Sequence, residues 1–277
     1  MSPWRFLRYN CGMRVIAIGL LTGIGCIGLM VGCVDTTDFR RSASEPAASS
    51  PAVATPPRPQ NRREVIGTSV EGRSIEVEVF GNGSPTILIL GGIHGDEPTS
   101  VDCTRGLIAH LRANPALVSG RTVAIIEVAN PDGYARRTRT NARGIDCNRN
   151  FPARNFQPGG SRAARGGTQP ASEPETRAIL AAMAKFRPKH MISIHSIRGD
   201  RQQNNYDGPG EALARAMTAH NGYPVTANIG YPTPGSLGSY AGGDLAIPII
   251  TLELPKAQPG PAAWEHNRAA LLAAISW

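Results

Sequence analysis

Cysteine is scarce in this chain of 277 residues, which contains only five. Cys11, Cys26 and Cys33 lie in the N-terminal leader described below, so Cys103 and Cys147 remain for the folded part. Neither has the spacing of a cysteine zinc site. A disulfide formed in an oxidising compartment and two buried free thiols are both consistent with this pair. A metal centre built from cysteine ligands is therefore excluded.

Acidic residues are also few, 21 against 29 lysines and arginines, which gives a formal net charge of +8. Residues 1–63 contain eight arginines and three acidic residues, so +3 remains for the rest of the chain. Proteins that bind nucleic acid carry a basic face on the folded domain itself, and we expect no nucleic-acid partner. Eight arginines between residues 136 and 165 predict an electropositive mouth for an anionic substrate, although a solvated basic loop has the same pattern.

A long uncharged apolar run is absent from the chain except at Val15–Val31. Arg5, Arg8 and Arg14 precede this run, as in a secretory signal. The sequence Met-Val-Gly-Cys then resembles a lipoprotein processing site, with Cys33 as the acylated residue. An uncleaved membrane helix is the alternative, because about 17 to 25 apolar residues span a bilayer. Residues 1–33 are thus expected to export the protein and tether it to a membrane, at a periplasmic or cell-surface location.

Residues 34–62 are rich in serine, proline and alanine and contain hardly any large apolar side chain. Such a segment cannot bury enough surface to offset the entropy lost on ordering, and we expect a flexible linker. Residues 63–277 are then the folded domain. No internal repeat is present.

Short apolar runs alternate with helical patterns along the domain, which predicts an α/β/α sandwich on a mixed, largely parallel sheet. Ser172 and Glu175 have the spacing of a capping box at the start of the second helix. The predicted strands are Ile75–Phe80, Thr86–Leu90, Val123–Val128, Met191–Ile194 and Ile247–Leu254, and the predicted helices are Pro98–Leu111, Glu173–Phe186, Glu211–His220 and Ala262–Ile275.

Two histidines and a glutamate have the arrangement of zinc ligands. His94 and Glu97 follow the run Thr86–Leu90 and are three residues apart. His195 directly follows the distant run Met191–Ile194. Zn²⁺ binds imidazole and carboxylate, and three protein ligands leave one position open, as in a catalytic site. Ligands in such sheets lie beyond the carboxyl ends of the strands, so these residues can meet there, and we expect one zinc ion per chain.

The run Ile247–Leu254 contains a single acidic residue, Glu253. A carboxylate in an apolar strand is costly unless a cation or a chemical role requires it. Hydrolysis of an amide needs a base that takes a proton from water and returns it to the leaving amine, and Glu253 is the candidate. A structural ion pair is the alternative. With the predicted zinc ligands, Glu253 points to metal-assisted hydrolysis.

Six short motifs follow one another between about Gly91 and Pro255. They are His94-x-x-Glu97, Asn130-Pro131-Asp132-Gly133, the stretch Asp146-x-Asn148-Arg149-Asn150-Phe151-Pro152, Ser172-Glu173-Pro174-Glu175-Thr176, Ser193-Ile194-His195-Ser196 and Thr251-Leu252-Glu253-Leu254. In this order they resemble the zinc carboxypeptidase family, and within it the compact bacterial murein peptide amidases.

The resemblance implies the role of each matching residue near the metal. His94, Glu97 and His195 would be the zinc ligands. Asp146 would orient the first histidine, which fixes its tautomer and its basicity. Glu253 would be the general base.

The resemblance also implies the residues that contact substrate. Arg139 would stabilise the developing oxyanion. Asn148 and Arg149 would bind the terminal carboxylate of the substrate, since the planar guanidinium matches a carboxylate. Family members often close over the substrate with a tyrosine. Tyr231 matches this position with a gap of one residue, and Tyr240 is a rival.

The family position that selects the substrate side chain falls near Leu237. A leucine has no charge with which to bind a basic side chain of the substrate. Charged residues on neighbouring loops are then the candidates for reaching the pocket, namely Asp200, Arg201 and Asp244.

The expected function is that of a zinc metallocarboxypeptidase that cleaves an amide next to a free carboxylate, with the γ-D-glutamyl–diaminopimelate bond of murein peptides as the expected target. A generic peptide carboxypeptidase is one alternative. A zinc deacylase of N-acyl amino acids, of the succinylglutamate or aspartoacylase type, is another, although the second and sixth motifs point away from it. A non-catalytic wall-binding module is the third, and such a module has no use for Glu253.

Overall fold

Eight strands form a mixed sheet in residues 61–159, 165–199 and 201–277, the part of the chain that the computed structural model describes. They are β1 Asn61–Thr68, β2 Ser74–Gly81, β3 Thr86–Leu90, β4 Thr122–Ile126, β5 His190–Ile197, β6 Gln203–Asp207, β7 Val225–Thr226 and β8 Ile249–Pro255. Their order is β1-β2-β4-β3-β5-β8-β6-β7. The four central strands are parallel, and β1, β2 and β6 pair with their inner neighbours antiparallel. The predicted mixed sheet with a parallel centre is confirmed.

Five α-helices in the described part of the chain cover the two faces of this sheet. They are α1 Pro98–Ala113, α2 Pro131–Arg136, α3 Pro174–Phe186, α4 Glu211–Asn221 and α5 Gly260–Ser276. Helices α1, α4 and α5 pack in one core, and α3 packs in the other together with a π-helical turn, Gly238–Asp244. The predicted three-layer sandwich is therefore confirmed.

Alternate residues of the central strands enter the two cores. In β3, Ile87 and Ile89 face α1, whereas Leu88 and Leu90 face α3. Both faces are covered, so the strand is apolar from Ile87 to Leu90. Each such side chain contributes roughly 1.5–3 kcal/mol by its burial. Polar residues on the neighbouring β5, such as His195, therefore need a specific reason to be there.

The predicted capping box at the start of α3 is wrong. Glu173 is the N-cap residue, and no side chain caps the helix. Ser172 Oγ instead donates to Glu173 Oε1 at 2.8 Å and accepts from Asn150 Nδ2 at 3.0 Å. Glu175 accepts from the backbone N–H of Val70 at 3.1 Å. The two side chains that the local pattern assigned to the helix end are instead bonded to distant segments of the chain.

Cys103 and Cys147 are buried free thiols. Cys103 lies in the core under α1, α4 and α5, and Cys147 lies in the core under α3. The two thiols are thus on opposite faces of the sheet and do not pair. Burial raises the pKa of the Cys103 thiol to about 12.

The ordered sheet begins at Asn61, two residues before the predicted start of the domain at Arg63. The predicted leader, residues 1–33, and the predicted linker up to residue 60 lie outside the described residues. In the part of the chain that the structure describes, no helix has the length and apolar character needed to cross a membrane.

Candidate active site

The loop between β3 and α1 carries the first two predicted ligands, His94 and Glu97. Gly95 packs closely against the backbone of Gly133. A Cβ at position 95 would lie 1.9 Å from the Gly133 carbonyl carbon, so there is no room for a side chain. Asn130 holds Gly133 in place by accepting from its N–H at 2.9 Å. The Asn-Pro-Asp-Gly segment, which the sequence indicated only as a turn, begins helix α2 and supports the ligand loop.

Strands β5 and β8 bring His195 beside Glu253. The two residues are Cα partners in the parallel ladder, so their side chains lie on the same face of the sheet. On the outer side of β8, antiparallel β6 places Gln203 opposite Glu253. The distant strand ends thus converge, as the sequence predicted.

The three predicted metal ligands form a buried cluster. His94 Nδ1 lies 3.0 Å from Glu97 Oε1, and His195 Nδ1 lies 3.2 Å from Glu97 Oε2. The two Nδ1 atoms are 3.1 Å apart. Zinc bonds of about 2.0–2.2 Å in a tetrahedral site separate the ligand atoms by roughly 3.3–3.6 Å, so a small expansion admits the ion. No other such group of histidine, cysteine or acidic side chains occurs in the described residues. The donor set fits zinc.

Neighbouring groups decide which nitrogen of each histidine faces the cluster. Asp146 Oδ1 lies 3.1 Å from His94 Nε2, and Ser193 Oγ lies 3.0 Å from His195 Nε2. These contacts leave both Nδ1 atoms for a metal. Burial alone would raise the pKa of the Asp146 carboxyl, but His94 and then Arg139 hold it well below its usual value. Asp146 is therefore placed as the sequence resemblance implied.

Arg139 bridges two acidic residues at the edge of the cluster. Its Nε donates to Asp146 Oδ2 at 2.9 Å and its Nη1 donates to Glu97 Oε1 at 3.2 Å. The side chain is 41% exposed and lines the pocket next to the cluster. A guanidinium has five N–H donors, so donors remain for an oxyanion beside the metal.

Glu253 lies in the same pocket and is 5% exposed. Burial and, after it, the neighbouring Glu97 raise the pKa of its carboxyl to about 8. A divalent cation at the cluster would lower this pKa, since an opposite charge favours the carboxylate. Glu253 is thus placed to exchange a proton near neutral pH, as a general base requires.

Asn148 and Arg149 form another wall of this cavity of about 300 Å³. Asn148 Oδ1 accepts from the backbone N–H of Leu237 at 2.9 Å, which leaves its Nδ2 donor outside this bond. Arg149 is 5% exposed, and its Nε has no partner in the described part of the chain. Burial lowers the pKa of Arg149. A carboxylate bound here would satisfy the unpaired donor and offset the buried charge.

Comparisons with known proteins identify the family. The family model described as zinc carboxypeptidase matches residues 58–199. Murein peptide amidase A of Escherichia coli (strain K12) is 33% identical over 180 residues, which cover 61% of this chain and 70% of that protein. The chain belongs to the zinc carboxypeptidase family. The family depends on zinc, and its members are hydrolytic enzymes.

Solved structures confirm the zinc carboxypeptidase-like fold. The crystal structure of murein-tripeptide amidase from Escherichia coli O157 has a TM-score of 0.64 and 30% identity, over 78% of this chain and 92% of that chain. Bovine thrombin-activatable fibrinolysis inhibitor has a TM-score of 0.67 at 20% identity, over 78% of this chain and 89% of that chain, and shows the fold alone.

Only one of the two candidate closing tyrosines lies in the pocket of this carboxypeptidase. Tyr231 lines the pocket and is 42% exposed. Tyr240 instead stacks on Phe151, with ring centroids 6.4 Å apart, and packs against the core under α3. Leu237, at the predicted specificity position, also lines the pocket. The structure therefore favours Tyr231 for contact with substrate.

Asp207 is a pocket residue that the sequence did not reveal. It ends β6 and pairs with Ile249 of β8. A Cβ at Gly238 would lie 2.2 Å from Asp207 Oδ2, and one at Gly242 would lie 2.5 Å from Asp207 Cβ, so both glycines make room for the carboxylate. Burial raises the pKa of this carboxyl. The only signal in the sequence was an acidic residue just before a glycine, in a polar stretch that follows the second histidine.

The charged loop residues proposed from the sequence have different positions in the structure. Arg201 lines the pocket. Asp244 instead pairs with Arg154 Nε at 3.0 Å and is not a lining residue. Asp200 lies outside the described residues.

Proposed function

We propose that this carboxypeptidase hydrolyses the amide between γ-D-glutamate and diaminopimelate in murein peptides. The observation that carries the proposal is the presence of Asp207 and Arg201 in the pocket that also holds Arg149. The diaminopimelate side chain ends in both an ammonium and a carboxylate group. Asp207 suits the first. The long side chain of Arg201, which precedes Gln203 opposite Glu253 and lines the same pocket, can extend to the second. The murein peptide amidases among the relatives support the same substrate.

The residues of the cluster have separate tasks in this reaction. A zinc ion held by His94, Glu97 and His195 would supply Lewis acidity and lower the pKa of a nearby water. Glu253 takes the proton of the attacking water and returns it to the leaving amine. Arg139 stabilises the charge that develops on the carbonyl oxygen, an interaction typically worth about 10²–10³-fold in rate.

The residues of the wall place the substrate. Arg149 and Asn148 bind the free carboxylate next to the scissile amide, which sets the distance from that carboxylate to the cluster. Tyr231, from the loop before the π-helical turn, covers the bound peptide. Such positioning raises the rate because the reacting groups are held in the geometry of attack.

A carboxypeptidase for peptides with a C-terminal basic residue is the second candidate, since Asp207 alone would select an ammonium or a guanidinium group. For such a substrate, Arg201 would be repulsive rather than useful. The relative rates on diaminopimelate and lysine substrates therefore distinguish the two candidates.

The test uses the full-length chain with zinc and compares murein tripeptide, hippuryl-lysine, hippuryl-phenylalanine and an N-acyl amino acid, each with and without a chelator. We expect chelator-sensitive cleavage that is fastest on the tripeptide. Asp207→Asn should reduce this preference, whereas Asp244→Asn, a matched change outside the pocket, should not. Fastest turnover of hippuryl-lysine would favour the second candidate. Turnover of the N-acyl amino acid alone would favour a deacylase, and wall binding without turnover a binding module.

Export and membrane attachment form a separate part of the proposal, supported by the leader sequence alone. If Cys33 is acylated, the full chain expressed in a bacterial host should incorporate labelled palmitate and fractionate with membranes. Cys33→Ala should lose the label. Membrane association that persists without any label would favour the uncleaved helix, and a chain found only in the cytoplasm would refute export.

A further inference from the structure

Lys256 lies in the pocket on the other side of Glu253 from Asp207. Asp207 pairs with Ile249, four residues before Glu253 on β8, whereas Lys256 comes three residues after Glu253. At about 3.3 Å per residue, Asp207 is displaced by roughly 13 Å from Glu253 along the strand, and Lys256, the first residue after β8, lies on the opposite side of Glu253. Both line the cavity that contains the cluster.

The side of Asp207 is the side of the leaving amine. Asn148, which receives the terminal carboxylate in the proposed function, is bonded through its Oδ1 to the backbone of Leu237. The next residue, Gly238, contacts Asp207. Lys256 is therefore on the acyl side of the scissile bond.

The Lys256 ammonium group is fixed in place but has only one described partner. Its Nζ donates to Asp96 Oδ2 at 2.9 Å, and the side chain is 25% exposed. Asp96 Oδ1 is buried and has no partner among the residues that the structure describes. A buried acceptor without a partner costs stability, so Asp96 is poorly explained as a purely stabilising residue. As an anchor for Lys256, it leaves two of the three ammonium donors for a ligand.

Positive charge on the acyl side exceeds what the protein itself neutralises. Arg198 lines the pocket close to Lys256, because the Lys256 backbone N–H donates to the carbonyl of the adjacent Ile197 at 2.8 Å. The only acidic lining residue that pairs with either cation in the described structure is Asp96. A substrate with a carboxylate on its acyl side would complete this arrangement.

We propose that Lys256, anchored by Asp96, is a specificity-determining residue that binds a carboxylate on the acyl side of the scissile bond. This inference rests on the proposed function and extends it. In a γ-linked D-glutamyl peptide, the free α-carboxylate of the glutamate lies three carbons from the scissile carbonyl. An ordinary α-peptide has no carboxylate at that place. Lys256 thus distinguishes γ-glutamyl linkages from ordinary peptide bonds, while Asn148, Arg149 and Asp207 recognise the leaving residue.

The test compares murein tripeptide with an analogue whose D-glutamate α-carboxylate is a carboxamide. Full-length wild-type protein, Lys256→Met, Lys256→Arg and Lys185→Met are assayed for kcat/KM on both peptides. Lys185 is the matched control, because it also pairs with one carboxylate, Glu64, but does not line the pocket. Dissociation constants of the two peptides are measured by calorimetry in the Glu253→Gln background, which separates binding from turnover.

We expect wild-type protein and Lys185→Met to prefer the acid over the amide by roughly tenfold or more, the effect of one hydrogen bond to a charged group. Lys256→Met should bring this ratio close to one in both kcat/KM and binding, and Lys256→Arg should restore most of it. If wild-type protein cleaves the acid and the amide equally well, or if Lys256→Met weakens both equally, the subsite is refuted and the proposed function stands. If neither murein peptide is cleaved while hippuryl-lysine is, the proposed function and the inference that rests on it both fail.

Discussion

The metal-ligand cluster and the remaining walls of the pocket, which bind substrate in the proposed function, differ in how completely their polar groups are satisfied. In the cluster, His94, Glu97 and His195 are at most 4% exposed, and each has hydrogen-bonding neighbours. In the walls, Arg149 has a buried donor without a described partner and Tyr231 is 42% exposed. The polar groups of the cluster are satisfied within the protein, whereas the walls keep a buried donor that the substrate would satisfy in the proposed function.

This difference follows from where the residues lie in the chain. The cluster and Glu253 are placed by the ends of three central parallel strands, whose register both cores fix. The walls come from the 3₁₀ turn Cys147–Arg149, the loops that contain Arg201 and Tyr231, and strand β6, the second strand from the edge of the sheet. The fold thus fixes the cluster, while in the proposed function the more peripheral segments would determine which amide is cleaved.

The largest expected effect comes from a substitution beside the metal cluster. Glu253→Gln should keep zinc and substrate binding but lower kcat by about 10²–10⁴-fold, because it removes a positioned proton-transfer group. Steady-state kinetics and metal analysis on the same preparation check both points. Glu265→Gln, on the exposed face of α5, is the matched control. Near-normal turnover in Glu253→Gln would assign the base to another residue.

A smaller effect is expected on the wall side. Arg149→Met should lower kcat/KM for a substrate with a free terminal carboxylate by roughly tenfold to a few hundredfold, as a charged hydrogen bond and its positioning effect are lost. The metal content should not change. For a substrate with a terminal carboxamide, the loss of kcat/KM should be much smaller. Arg154→Met removes an exposed arginine paired with Asp244 and serves as control. An equal loss on both substrates would contradict recognition of the carboxylate by Arg149.

An effect on stability rather than on turnover is expected for His190, at the opposite end of β5 from His195. His190 Nε2 donates to the Ala274 carbonyl at 2.7 Å, and its Nδ1 is buried without a partner in the described residues. Burial lowers the pKa of His190 from 6.5 to about 4. The unfolded chain therefore binds more protons than the folded one between these values, and the free energy of unfolding should fall by about 3 kcal/mol as pH drops from 6.5 to 4.

Chemical denaturation of metal-free protein at several pH values measures this contribution. The difference in the free energy of unfolding between wild-type protein and His190→Gln separates the contribution of His190 from that of other titrating groups. We expect the stability advantage of the wild type to be constant above pH 6.5 and to shrink below it. A difference that does not depend on pH would show that His190 is not held neutral.

The sequence predicted the parts of the molecule that have regular apolar patterns. Strand β3 has the predicted bounds, and His94, His195 and Glu253 meet at strand ends as expected. Strand β6 was missed because its pocket face carries Gln203, Asn205 and Asp207 instead of apolar residues. This face lines a polar cavity, so β6 lacks the alternation of apolar and polar residues that would have predicted a strand.

Contacts between distant residues account for the other differences. The capping box failed because Ser172 and Glu175 bond to Asn150 and Val70, far away in sequence. The choice between Tyr231 and Tyr240 depended on the packing of Tyr240 against Phe151. No local pattern in the sequence contains that information.

Metal content tests the central claim most directly. Full-length protein dialysed against buffered zinc should contain one zinc ion per chain by mass spectrometry of the metal. His94→Ala, Glu97→Ala and His195→Ala, each checked for folding by circular dichroism, should lose it, whereas His110→Ala, on α1 outside the cluster, should keep it. Zinc that stays at one per chain in all three ligand variants, or wild-type protein that never takes it up, would contradict the account.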